Sequence, residues 1–133
     1  MSTPRAAKSG SDILHVKVGE TLAEAGERAA QAMKALQRGT VPARYFGISF
    51  AEVGAMFATF TPRRWELIAT LRESGPLTVA ELARRLKRNY KNVHTDVNQL
   101  IEWMAVERGE QGLVGVPWSG IIVDMKLPQR QVA

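Results

Sequence analysis

The amino-acid sequence predicts an α+β fold, on three observations. From Thr61 to Met104 the chain reads as three consecutive helices with start and stop signals between them. Val106 to Val116 then holds two short apolar-bearing runs around Gly109-Glu110-Gln111-Gly112, the pattern of a β-hairpin. Ahead of this core, Ile13–Val18 and Arg44–Phe50 carry strand patterns on either side of an alanine-rich helical run. The expected organisation is a core at 61–127 and a strand-helix-strand extension at 12–60. Residues 1–11 read as a disordered basic arm and 128–133 as a frayed tail.

The first core helix opens with Thr61 as N-cap and Pro62 at its first position, where a missing N–H costs nothing. Trp65, Ile68, Ala69 and Leu71 recur at helical spacing until Gly75-Pro76 ends the run. The second begins with a capping box: Thr78 accepts from the N–H three residues on, and Glu81 reaches back to the N–H of Thr78. Its apolar face is Val79, Leu82, Ala83 and Leu86. After a polar turn from Lys87 to Tyr90, a third helix spans 91–104 with Val93, Val97, Leu100, Ile101 and Met104 on one stripe.

The opposite face of the third helix carries the functional reading. Lys91, Asn92, His94, Thr95, Asn98 and Gln99 point away from the apolar stripe, and such side chains hydrogen-bond base edges or phosphates. Between Arg84 and Thr95 there are five Lys/Arg and no carboxylate. A helix of this kind fits a duplex major groove, about 12 Å wide. The bland alternative is a solvated polar face on an ordinary three-helix domain; the one-signed charge and the hairpin favour DNA. A hairpin directly after a recognition helix is the wing of a winged helix-turn-helix. Arg108 is its cation, while Glu107 and Glu110 predict only a modest attraction for phosphate.

The segment TPRRWELIATLRESGPLTVAELARRLKRNYKNVHTDVNQLIEWMAVERGEQG resembles the winged helix-turn-helix core of prokaryotic MarR-like and ArsR-like regulators. More narrowly, ELARRLKRNYKNVHTDVNQL followed by a wing and VPWSGIIVDMKL resembles a small family of DNA-binding proteins that includes antitoxins of TumA type. The resemblance covers Ile48 to Leu127 well and the N-terminal third loosely. It implies a transcriptional regulator and, for the narrower family, one that represses an operon shared with a toxin gene.

These readings assign Asn92, His94 and Thr95 to base edges, with Asn98 and Gln99 further along the helix. Arg84, Arg88, Tyr90 and Lys91 are assigned to phosphates, joined by Arg108 from the wing. A homodimer presenting one such helix per half-site reads sites about 34 Å apart. The runner-up is a protein-interaction module, an antitoxin that sequesters a toxin through residues 12–60, with DNA binding secondary.

A chain of 133 residues, 45% hydrophobic, can bury one domain's core, and its formal net charge of +5 predicts anionic partners, nucleic acid first. It has no cysteine, which excludes disulfides and thiolate metal sites. No apolar run approaches the roughly 20 residues a membrane helix needs, and the N-terminus lacks a signal-peptide core. A cytoplasmic protein without a membrane partner is expected. His15 and His94 are the two histidines, far apart, with no acidic pair at ligand spacing. Neither GxxxxGK[ST] nor G-x-S-x-G occurs. No enzyme, cofactor or metal is expected.

Three segments keep alternatives open. Glu20 to Gln37 is an amphipathic helix with Leu22, Ala25, Ala29, Met33 and Leu36 at helical spacing; its narrow alanine face suits a dimer contact or packing on its own domain. Arg44 to Phe50 is a strand pairing with Ile13–Val18, or its end starts a helix capped by Ser49 and running to Phe60. Ile121 to Leu127 alternates like a half-buried strand anchored by Trp118, and either extends the wing or joins the N-terminal strands, its own or a partner's.

Overall fold

The computed structural model describes residues 12–41 and 44–126. The expected arm at 1–11 and tail at 128–133 lie outside the described residues. The element order is β1 (Ile13–Val18), α1 (Leu22–Gln37), β2 (Phe46–Phe50), α2 (Val53–Thr59), α3 (Pro62–Ser74), β3 (Leu77–Thr78), α4 (Val79–Leu86), α5 (Tyr90–Glu102), β4 (Glu107–Arg108), β5 (Leu113–Gly115) and β6 (Gly120–Met125). The fold is α+β, as composition and periodicity predict. Its contacts form two compact units, one built on 57–120 and one on 13–56 together with the strand from 121. No helix among the described residues is long and apolar enough to cross a membrane.

In the 57–120 unit, local chemistry sets each helix end. Thr61 Oγ1 accepts from the Arg64 N–H (3.2 Å), and Gly75, at φ +83°, closes α3 by donating to Leu71 O (2.9 Å). Thr78 Oγ1 caps α4 through the Glu81 N–H (3.1 Å). The Glu81 carboxylate turns to Arg84 and Arg85 instead of reaching back, so only half of the capping box forms. Helix α4 ends in a Schellman motif: the Arg88 N–H reaches Ala83 O, and the Lys87 N–H reaches Arg84 O. Lys87 takes the left-handed position (φ 55°, ψ 44°) usually held by glycine. Asn89 then caps α5, its Oδ1 accepting from the Lys91 N–H (2.8 Å).

Helix α5 runs Tyr90–Glu102, not 91–104. A second Schellman turn ends it, with the Ala105 N–H on Leu100 O (3.0 Å) and Met104 at φ 67°. The Met104 carbonyl accepts from the indole of Trp118 (2.8 Å), which is 1% exposed. The same unit buries Phe60, Leu67, Leu71, Leu82, Val93, Val97, Leu100, Val106 and Val114. Each such side chain is worth roughly 1.5–3 kcal/mol of burial. A small sheet of order β3-β5-β4 closes the unit, antiparallel throughout, with Arg108 opposite Val114 and Leu77 on the other side of Val114. The hairpin turns through Gln111 (φ 61°) and Gly112 (φ 72°), both left-handed.

The second unit is a three-stranded sheet of order β2-β1-β6. β1 and β2 are parallel, with Leu14 against Phe46, Val16 against Ile48 and Val18 against Phe50, so α1 is their crossover. β6 also runs alongside β1: the Ser119 N–H donates to Asp12 O at one end and the Lys126 N–H to Val18 O at the other. Residues 121–125 therefore complete the N-terminal sheet within the same chain and do not extend the hairpin, although the expected core domain ran to 127. Ser49 lies inside β2 and donates to Glu20 (3.2 Å), so it caps no helix; α2 starts later, at Val53.

Candidate nucleic-acid interface

Helix α5 is divided sharply by its burial. Val93, Val97 and Leu100 are 0% exposed, while Tyr90, Lys91, Asn92, Thr95, Asn98 and Gln99 are exposed and His94 is half-buried. The 3.6-residue period sends the two sets to opposite sides. On the outer side a chain of contacts runs down the helix one turn at a time. The Tyr90 ring stacks on His94 at 5.8 Å, His94 Nδ1 lies 3.3 Å from Asn98 Nδ2, and Asn98 Oδ1 accepts from Arg108 of the hairpin (3.1 Å). The hairpin is thereby tied to the polar face of α5, and the two present one surface. The Thr95 hydroxyl donates to Lys91 O (3.1 Å), leaving its oxygen lone pairs outward.

Of the expected phosphate contacts, Arg84, Tyr90, Lys91 and Arg108 are exposed. Arg88 is not. Its Nη2 is bound to Asp96 at 2.7 Å, and both side chains are about 15% exposed. Asp96 also receives Arg64 Nε from α3 (3.1 Å), and Arg64 Nη1 donates to Thr59 O (2.8 Å). One carboxylate thus holds two guanidiniums and joins α3, the α4–α5 turn and α5. Arg88 Nε and Nη1 are buried with no hydrogen-bond partner among the described residues, so Asp96 carries its compensation. The assignment of Arg88 to phosphate is therefore corrected to a structural role, because its guanidinium is mostly buried and bound to Asp96 inside the fold.

Asp96 and Arg64 were missed by sequence reasoning. A lone acid on a basic helix face was the available signal, since an acid there needs a partner. Lys87 was also passed over. It is exposed and, like Lys91, has no ion pair among the described residues, so these two ammonium groups stand open to solvent beside the start of α5. Chemically, the amides of Asn92, Asn98 and Gln99 each donate and accept, and the flanking cations supply non-directional attraction for anions. No group of three or more His, Asp or Glu suited to a metal ion occurs among the described residues.

Residues 59–123 match a family model described as HVO_A0114. This segment, from the end of α2 into β6, is similar to that family, whose description names no activity. Comparison with curated proteins gives no match.

Proposed function

We propose that this chain is a sequence-specific regulator of transcription that binds double-stranded DNA as a winged helix-turn-helix. It acts as a dimeric repressor, with α5 in the major groove and the β4–β5 hairpin as the wing. The observation that carries this reading is the exposed amide-rich face of α5, continuous with Arg108 of the hairpin and flanked by the open cations Lys87 and Lys91. Asn92, Thr95 and His94 read base edges, with Asn98 and Gln99 further along; Arg84, Lys87, Tyr90, Lys91 and Arg108 hold phosphates. The resemblance to MarR-like and ArsR-like regulators supports the same reading.

The test is binding to a duplex from the gene's own upstream region and to a scrambled duplex of equal length, across a salt series. Preference for the upstream duplex with a steep salt slope is expected. Asn92→Ala should cost on the order of 1–3 kcal/mol on the preferred duplex and little on the scrambled one. Weak, equal binding to both duplexes would reject the regulator. The second reading, an antitoxin holding a partner protein through residues 12–60, is favoured by one observation: α1 leaves Leu22, Met33 and Leu36 on the surface.

A further inference from the structure

The contacts along the outer side of α5 fix a proton as well as a shape, because one member of the chain can only donate. Arginine has N–H groups and no acceptor. The Asn98 atom that meets Arg108 Nη2 at 3.1 Å is therefore the amide oxygen. The NH2 at the other end of that amide is then turned to His94 Nδ1, at 3.3 Å. An amide nitrogen donates, so Nδ1 must accept, and a neutral imidazole that accepts at Nδ1 carries its proton on Nε2. Reversing the amide would set its NH2 against the guanidinium, donor against donor.

Tyr90 completes the arrangement from the other side. Tyr90, His94 and Asn98 stand four residues apart, one above another on the helix surface. The Tyr90 ring stacks on the imidazole at 5.8 Å. His94 Nε2 has no hydrogen-bond partner among the described residues and is not closed off from solvent. The ring therefore offers an incoming groove a single polar group, an N–H.

We infer that Asn98 is a positioning residue that, with Arg108 behind it, holds His94 as an Nε2–H donor, and that His94 gives this N–H to a guanine. In the major groove guanine shows two acceptors, N7 and O6, whereas cytosine shows an amino donor that would oppose the same N–H. Adenine and thymine each show one acceptor there and rank between them. The hairpin takes part in base choice through this link, since Arg108 holds the amide with one nitrogen and keeps its remaining N–H groups for phosphate. The guanine contact rests on the regulator reading above; the tautomer belongs to the free protein and does not.

The tautomer is measured first, in the full chain without DNA. His15 and His94 are the two histidines, so imidazole nitrogen chemical shifts, taken at about pH 8 where histidine is ordinarily neutral, are assigned with His15→Gln. His94 should be almost wholly the Nε2–H form. Asn98→Asp replaces the NH2 by an oxygen that only accepts and should put a proton on Nδ1, whereas Asn98→Ala should return the ring to the mixture of a free imidazole. Asn98 is exposed, so both variants should keep the fold. A wild-type ring protonated on Nδ1, or one indifferent to Asn98→Asp, overturns the relay. Duplexes varied one base pair at a time then test the base. His94→Ala should lose about tenfold of preference for guanine at one position. Asn98→Ala should lose roughly two- to five-fold at that same position, with little effect on a scrambled duplex, and should add nothing in the His94→Ala background. Equal loss on every duplex, or additive losses, overturns the positioning role. A position sensitive to His94→Ala that does not prefer guanine overturns the base assignment. Spectra as expected with no duplex preferred would sink the regulator reading and the guanine contact together, while the opposite pair of results removes the relay alone.

Discussion

Helices α1 and α5 are both amphipathic, yet they face opposite ways. α5 buries Val93, Val97 and Leu100 completely and turns its amides outward, whereas α1 half-buries only Glu24, Ala25, Arg28, Ala32 and Ala35 and leaves Leu22, Met33 and Leu36 in solvent. The difference lies in what each helix packs against. α5 meets the apolar sides of its neighbours in a three-helix arrangement. α1 crosses from β1 to β2 over the sheet face that carries His15 and Lys17, because the alternation of β1 sends Leu14, Val16 and Val18 to the other face. An amphipathic pattern therefore states that a helix has two faces and leaves open which of them is inside.

The largest effects should come from the inward stripe of α5. Leu100→Ala should lose about 2–5 kcal/mol of unfolding free energy in urea titrations. Met33→Ala, at an exposed position, should stay within about 0.5 kcal/mol of wild type. Equal costs would show that α1 buries its apolar side within the single chain, and the comparison would collapse.

Ion pairs should divide the same way. Asp96→Asn leaves two mostly buried guanidiniums without their carboxylate and should cost about 1–3 kcal/mol, the full penalty of a buried pair reduced for its residual exposure. Glu24→Gln breaks the pair with Lys126, whose side chain is 51% exposed, and should cost under about 0.5 kcal/mol. The ordering of these two melting curves is the check.

Lys87→Gly is a finer probe, because it relieves a left-handed lysine and removes an open cation together. Stability should rise by about 1 kcal/mol. The salt slope for duplex binding should fall by roughly one unit if Lys87 holds a phosphate. A gain in stability with an unchanged slope would take Lys87 out of the interface.

The smallest effect sits on the sheet under α1. Lys17 donates to Asp124 and holds its carboxyl below the ordinary aspartate range, as Arg28 does for Glu20. Both carboxyls are depressed in the folded state. Their stabilisation is present above the unfolded-state pKa values near 4 and is lost as pH falls through the folded ones. In Lys17→Met the Asp124 titration midpoint, followed by carbon chemical shift, should move up toward the ordinary value. An unmoved midpoint would show that the pair does not persist in solution.

Much of the 57–120 unit was legible in the sequence because its signals are local. The caps at Thr61 and Thr78, the stop at Gly75-Pro76 and the period of α5 each lie within a few residues of their partners. Arg88 was misread for the opposite reason. Its guanidinium is held by Asp96, which it shares with Arg64, twenty-four positions before it, and a run of basic residues does not show which of them is already paired.

By itself, then, the sequence determined that helices and strands lie in these segments, which residues of α5 share a face, and that the chain carries a surplus of positive charge. These follow from backbone periodicity and from side chains capping their own neighbours. Only the tertiary structure decided that β6 completes the N-terminal sheet, that Arg88 is structural and that α1 leaves Leu22, Met33 and Leu36 exposed. Each of those depends on which distant surface arrives opposite a residue, and neither period nor propensity contains that information.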